Sequence, residues 1–418
     1  MTILLRILSA LTIDDLTALD WHTIGRDPWF IALGAVLVSL MANAEFFRRF
    51  QASIRSAPRL DPIEDEVDAL PTISVVIPAY NEAANITECL KAVLENDWVG
   101  SARMQVIVAD DESEDETATL AEMVAETDER VTVLTVPPRP TDEPWRGKNW
   151  ACAQAAKLAT GEYLLFVDAD VRLEPWAIAR TLANAKTYKT DLLSCAPKII
   201  CGCFSEWLVQ PIMAMLIAVG FSFEGVNNPK KPDKAAAAGP FMLFRRAAYE
   251  QIGTHSAVAA ETVEDFALAR LIKSSGLTLR YVIGLDVASV RMYRSFSALW
   301  EGWTKNFHIA AGRNAFLTLS SAAAVFLIFV MPWVGVVGGV TGVLIGQAFA
   351  GGLLLLASLA AAVQLYGRVL AARIINQRPR YIWLGWLGGG IISAMCLTSL
   401  VKTETGWGWT WRGRSLAG

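Results

Sequence analysis

Asp168-Ala169-Asp170 sets two carboxylates two residues apart, directly after the apolar run Tyr163–Val167. In extended chain, residues two apart point the same way, so both acids can face one pocket. Paired hard oxygen ligands with room left for phosphate oxygens suit Mg2+ or Mn2+ rather than zinc. Other polar clusters follow other apolar runs. Pro78-Ala79-Tyr80-Asn81-Glu82 follows one, Asp110-Asp111-Glu112-Ser113 follows another, and Trp145-Arg146-Gly147-Lys148 precedes a helical stretch at Asn149. Glu264-Asp265 opens a further helical stretch at 263–275. An acid in such a place also caps a helix or favours its dipole. Capping explains any one of these clusters, but not all of them at one edge of a sheet.

The elements that must position these residues are short apolar runs alternating with helical patterns. The runs are 73–77, 104–109, 131–136, 163–167 and 191–195, and the helices lie at 83–96, 116–127 and 149–160. Runs apolar on both faces and separated by helices predict a parallel sheet covered on both sides. In such sheets ligands bind at the carboxyl ends of the strands, where these clusters sit. No GxxxxGK[ST] loop is present, which excludes a P-loop nucleotidase, and no GxGxxG opens a helix after a strand.

Composition places this domain on a membrane. Of 418 residues, 53% are hydrophobic and only 19% charged, and mean hydropathy is +0.36. The charge balance is 37 − 41 = −4 with no lysine-rich tract, which excludes nucleic acid as a partner. Residues 29–47 form a first span, preceded by Asp14, Asp15, Asp20, Arg26 and Asp27 and followed by Arg48, Arg49, Arg55 and Arg59. The positive-inside rule puts the chain beyond Arg48 in the cytoplasm. From 316 to 367 the chain has no charged residue, enough for two spans of ~20 residues with a turn near Gly338, Gly339 and Gly342. A basic loop with Arg368, Arg373, Arg378 and Arg380 leads to a fourth span at 383–401. The stretch 204–223 carries Glu206, Gln210 and Pro211, so it is expected to lie in the interface rather than cross. Six cysteines with no clustered histidine fit reduced structural thiols.

Five blocks stand in order along the chain: SVVIPAYNE (74–82), VIVADDESEDET (106–117), YLLFVDADV (163–171), AGPFMLFRRAAYEQIG (238–253) and ETVEDFALARLIKSSG (261–276). Together they resemble the family 2 glycosyltransferases across residues 72 to about 310. The resemblance implies an α/β fold: a cytoplasmic GT-A domain, Rossmann-like with a mostly parallel sheet, plus about four transmembrane helices. It implies that Ala79, Tyr80 and Glu82 line a nucleotide-sugar site, with Asp110 or Asp111 accepting from the base, and Lys148 nearby. Asp170, with Asp168, would bind Mg2+ or Mn2+ bridging the diphosphate. Asp265 of Glu264-Asp265 resembles the base that deprotonates an acceptor hydroxyl, giving inversion.

The expected organisation is an interfacial segment and first span (1–55), an acidic linker (56–71), a nucleotide-sugar-binding half (72–200), an acceptor half (201–314) and three spans with a tail (315–418). The QxxRW motif of processive members is missing; the corresponding stretch holds Trp303 and Lys305, candidates for an acceptor wall and a diphosphate cation or, equally, for an interfacial Trp–Lys anchor. The pattern is similar to the ceramide glucosyltransferase-like and hopanoid- or carotenoid-associated branch, as are GWTKN (302–306) and the tail WTWRGRS (409–415). What this implies is an integral protein of a bacterial inner or equivalent membrane. It would move one sugar from a nucleotide-diphosphate sugar to a hydroxyl of a membrane lipid: a terpenoid, a carotenoid, a glycerolipid or a sphingolipid-like molecule. Transfer to polyprenyl phosphate and processive polysaccharide synthesis are the alternatives.

Overall fold

The computed structural model describes residues 27–62, 70–96, 103–408, 410–411 and 414–415. The expected interfacial piece at 1–26 and much of the aromatic tail lie outside the described residues. Helix α1, Pro28–Arg55, starts where Asp27 Oδ1 accepts from the amides of Trp29 (2.7 Å) and Phe30 (3.3 Å). Pro28 occupies a first-turn position that needs no N–H. At about 1.5 Å per residue, its 28 residues exceed the ~30 Å of a hydrocarbon core. The first part of the linker, residues 56–62, then packs on the domain. Arg59 bridges Ile283, Leu60 is buried, and Asp61 bonds Asn184 and Tyr188.

Eight strands follow, interleaved with helices: β1 Ile73–Ala79, α2 Ile86–Leu94, β2 Met104–Asp110, α3 Thr117–Ala125, β3 Val131–Thr135, α4 Gly147–Leu158, β4 Tyr163–Val167, β5 Val171–Leu173, α5 Ala177–Thr187, β6 Leu192–Ile199, α6 Phe204–Gly220, α7 Phe223–Asn227, β7 Phe241–Arg245, α8 Arg246–Gln251, α9 Glu264–Ser274 and β8 Leu279–Val290. Sheet order is β3-β2-β1-β4-β7-β6-β8-β5. The expected parallel pairing holds for β1, β2, β3 and β4, and for β6 with β8. The other half departs from it, because β7 runs antiparallel between β4 and β6, and β5 runs antiparallel to β8. The reason is in the connection. The chain leaves the sheet after β6, makes a long excursion through α6, and returns to the same edge, so β7 must run back. Side chains alternate between two cores. Val75, Ile77, Leu165 and Val167 pack with α2 and α5, while Val76, Ile107, Leu164 and Phe166 pack with α4 and α9.

After β8 come α10 Phe296–Ala310, α11 Ala315–Phe329, α12 Met331–Leu344, α13 Ala350–Ile374 and α14 Gly385–Thr405. Three helical stretches, Pro28–Arg55, Ala350–Ile374 and Ile382–Thr405, are long and apolar enough to cross a membrane, and α11 with α12 makes a pair bent by 50° that counts as one more. The bend has an identifiable cause. Pro332 lacks an N–H, so the Ile328 carbonyl loses its helical donor. Asn43 Nδ2 (2.9 Å) and Gln364 Nε2 (3.0 Å) reach it from α1 and α13, and Gln364 also serves the Phe329 carbonyl at 2.9 Å. Neighbouring helices thus satisfy backbone groups that the break leaves open, as a membrane span would require.

The turn expected near Gly338, Gly339 and Gly342 is not there; these glycines lie inside α12. A Cβ on Gly339 would meet Leu354 backbone at 2.7 Å, and one on Gly342 would meet the Trp29 ring at 2.6 Å. They serve close helix packing. The chain reverses between α12 and α13 instead, where Gly346 and Phe349 take φ of 71° and 66°. Helix α6 turns its buried polar residues towards protein. Glu206 accepts from the amides of Gly202 (2.6 Å) and Cys203 (2.7 Å) and pairs with Arg291 at 3.2 Å. Burial of these groups is offset by complete pairing.

Candidate active site

The polar clusters do meet at one edge. Register pairs Ala79 with Asp110, which places the ends of β1 and β2 side by side. Asp168-Ala169-Asp170 follows β4 as a turn rather than as extended chain, closed by the Val171 amide on the Asp168 carbonyl (3.0 Å). Ala169 is buried, and both flanking acids are partly exposed. Burial pushes the Cys89 thiol up to about 12; the Arg172 charge opposes that push, and the charges of Asp170, Glu82 and Asp168 add to it. One buried thiol thus senses acids from two strand ends.

Lys148 ties this group to the far side of the site. It stands in the first turn of α4, and its Nζ lies 2.6 Å from Asp168 Oδ1 and 2.8 Å from Glu264 Oε1. Burial opposes its charge, but the two carboxylates hold its pKa well above the usual lysine value. Glu264 is buried too, yet Lys148 outweighs that penalty and holds its carboxyl below the ordinary range, with Lys305 adding to the effect. Next to it, Asp265 has no such ion pair. Burial first, and then the charge of Glu264, lifts the Asp265 carboxyl to about 7. Its Oδ2 accepts from the Gly239 amide (2.9 Å) and its Oδ1 from the Phe266 amide (2.8 Å). Two adjacent carboxyls are therefore pushed apart, one kept charged and the other set to take a proton near neutral pH.

Several neighbours were not singled out by sequence reasoning. Asn149, beside Lys148, donates from Nδ2 to the carbonyls of Val258 (2.7 Å), Ala259 (3.1 Å) and Glu261 (2.9 Å), fixing the approach to Glu264. Gly239 is the close-packing point, since a Cβ there would lie 3.1 Å from Asp265 Oδ2 and 3.4 Å from Lys148 Nζ. Its place in the AGPF block was the only available signal. Phe266 packs against Phe221 at the end of α6, with ring centroids 4.6 Å apart, which puts an apolar surface next to Asp265.

On the donor side, Asp110 is 4% exposed; Oδ2 accepts from the Ser113 amide (3.2 Å), while Oδ1 is buried without a partner. An unsatisfied buried acceptor is costly and marks a place for a donor from a ligand. The Asp111 amide donates to the Ala79 carbonyl at 2.9 Å. Glu82 accepts from Asn85 Nδ2 at 2.7 Å. Tyr80 stands partly exposed beside it, between Ala79 and Asn81. Trp303 turns towards α6: its Nε1 donates to Gln210 Oε1 at 2.9 Å and its ring meets Tyr293. Lys305, by contrast, acts on the Glu264 carboxyl.

The chemistry of the donor set fits a hard divalent cation. Among the described residues no three His, Cys, Asp or Glu side chains gather into a metal cage. Two carboxylates with open positions are what Mg2+ or Mn2+ accept alongside water and phosphate oxygens.

Comparison with known proteins agrees with this geometry. Residues 74–253 match the family described as glycosyl transferase family 2, and that part of the chain is a domain of this family. A 4,4'-diaponeurosporenoate glycosyltransferase of Staphylococcus haemolyticus is 30% identical over 254 residues, 60% of this chain and 64% of the relative. Its counterpart in Staphylococcus aureus (strain USA300) is 30% identical over 243 residues, 57% and 62% respectively. The chain thus spans under two thirds of the length of these relatives. A mannosyltransferase from Pyrobaculum calidifontis, PcManGT in complex with GDP-Man and Mn2+, aligns over 91% of this chain and 99% of its own, with a TM-score of 0.53 and 19% identity. That likeness establishes the GT-A fold with its mixed, mostly parallel sheet.

Proposed function

We propose that this chain, with its family 2 domain at 74–253, is an inverting glycosyltransferase that moves one sugar from a nucleotide-diphosphate sugar to a hydroxyl of a membrane lipid. The observation that carries the proposal is the Lys148 bridge, which holds Asp168 of the donor side and Glu264 of the acceptor side on one ammonium, with Asp265 beside it. Asp110, through its unpartnered Oδ1, or Asp111 accepts from the nucleobase, and Ala79, Tyr80 and Glu82 line the nucleoside site. Asp168 and Asp170 hold Mg2+ or Mn2+, which when bound offsets charge on the departing diphosphate. Asp265 takes the proton of the attacking hydroxyl, and Glu264, kept ionised by Lys148, keeps Asp265 basic. Lys305 adds positive field at the acceptor side. The Gly239 amide aims the base.

A lipid acceptor suits the setting. Apolar Phe221 and Phe266 lie between α6, packed among the spans, and Asp265. The relatives are named for a carotenoid acid, which supports a terpenoid or carotenoid acceptor over a polymer. With the basic residues Arg48, Arg49, Arg373 and Arg378 flanking the spans, the catalytic domain faces the cytoplasm of a bacterial inner or equivalent membrane.

The test is purified full-length protein in detergent, supplied with a panel of UDP- and GDP-sugars and a lipid extract, with products read by mass spectrometry. The expected product is a lipid heavier by one sugar, lost with a chelator and restored by Mn2+ or Mg2+. A ladder of sugar increments would overturn single transfer. Full turnover in excess chelator would remove the metal.

A further inference from the structure

A cavity of about 290 Å³ opens where the sheet meets the membrane helices, and Arg59, Arg180, Lys198, Asp286 and Asn376 are among its lining residues. None of the acids of the candidate active site lines it. The cavity owes its shape to an irregularity, because pairing of β6 with β8 slips between Pro197 and Lys198 and β8 bulges away over the residues around Asp286. Three cations face it against one carboxylate, and that carboxylate is already engaged. Asp286 pairs with Arg180 NH1 at 2.8 Å and is otherwise largely exposed. Arg180 NH2 donates to the Leu60 carbonyl at 3.0 Å, which leaves its buried Nε without a partner. The Arg59 guanidinium and the Lys198 ammonium have no hydrogen-bond or ion-pair partner among the described residues.

Position decides what such a site would take. Arg59 comes four residues after the end of α1, and Ile374, also lining the cavity, is the last residue of α13. Gln377 Nε2 donates to the Ile199 carbonyl, holding the end of that span against β6. The cavity therefore lies at the polar boundary of two candidate spans, with Ile283, Leu285 and Ile374 supplying apolar wall beside the cations. Basic pockets at the ends of membrane helices are suited to phosphate headgroups. With a water occupying about 30 Å³ of liquid volume, the space admits a phosphate with part of its glycerol. We propose that this cavity binds a phosphate group, and that the phosphate is the headgroup of an anionic phospholipid in the adjoining leaflet, tying α1 and α13 to the sheet.

The experiment is thermal melting of the full-length protein in neutral detergent, followed by tryptophan fluorescence. Short-chain phosphatidylglycerol, phosphatidylcholine of equal chain length and inorganic phosphate are titrated in separate arms. Phosphatidylglycerol is expected to raise the melting temperature to a plateau, and phosphatidylcholine is expected to leave it unchanged. The double variant Arg59→Ala/Lys198→Ala should need at least about tenfold more phosphatidylglycerol, the loss expected for removing charged hydrogen-bond donors. Arg48→Ala/Arg49→Ala, which removes two exposed cations elsewhere on α1, should respond as wild type. The proposal is overturned if phosphatidylglycerol gives no shift, or if the shift survives in the double variant. An equal shift with inorganic phosphate alone would overturn the lipid source and leave a soluble anion as the occupant.

Discussion

Replacing Asp265 with Asn separates a base from a helix-capping acid, and the geometry sets the size of each effect. Asp265 accepts the amides of Gly239 and Phe266 on separate oxygens, and burial together with Glu264 lifts its carboxyl to about 7. Asn keeps the shape and one acceptor oxygen but cannot take a proton. Loss of a general base is worth about 10²- to 10⁴-fold, or about 2.7–5.4 kcal/mol at about 1.36 kcal/mol per decade. Loss of a first-turn charge alone is at most about 1 kcal/mol. The assay is acceptor kcat/KM against pH at saturating donor. Wild type should rise through a midpoint near 7, because Asp265 must be ionised to act. Asp265→Asn should be lower by about 10²- to 10⁴-fold, flat across that range, and normal in donor binding.

Stability gives a second readout with its own sign. A carboxyl whose folded pKa lies above its unfolded value penalises the fold as pH rises from the unfolded value to the folded one. Asn removes that penalty and loses one charge-assisted amide bond of about 1.5–3 kcal/mol. The melting temperature of the variant relative to wild type should therefore climb as pH rises towards 7. A wild-type profile flat through neutral pH would refute the base assignment, as would a variant with intact donor binding and activity near wild type.

Gly239→Ala places a Cβ 3.1 Å from Asp265 Oδ2. Displacing the carboxylate by a fraction of an ångström should lower kcat by about 10- to 100-fold while donor KM holds, as steady-state kinetics will show. Lys148→Met leaves Asp168 and Glu264 without their shared cation. Because the lysine side chain is 32% exposed, the cost should be about 1–3 kcal/mol, below the 3–5 of a fully buried pair. Glu264 has a depressed pKa in the fold, so that contribution exists above its unfolded pKa and fades as pH falls. Melting curves should show the gap between wild type and Lys148→Met narrowing in acid.

Hydropathy and local periodicity determined much of this molecule directly. The runs that became β1, β2 and β4 are apolar on both faces, and their ends are polar because strand ends leave the core. The uncharged stretch after Phe316 was legible as helix apolar enough to cross a membrane, since burying charge in lipid is expensive at any position. Asp168, Asp170, Asp265 and Lys148 stood out by residue type and by their place at element ends. These are properties of a residue and its near neighbours, so a linear string carries them.

Tertiary structure decided everything that depends on which distant segments meet. That Lys148 serves both Asp168 and Glu264, and that Asp265 is left to rise towards neutrality beside them, comes from α4 and α9 converging on one edge. The direction of β7 depended on where the excursion through α6 returned. Gly339 and Gly342 read as turn residues by type, yet their missing side chains admit the backbone of α13 and the ring of Trp29. Pro332 breaks its helix by residue type alone, but only Asn43 and Gln364, arriving from two other helices, make that break tolerable away from water. Each of these pairings is a long-range contact whose energy exists only after the chain has closed on itself, so no local pattern encodes it.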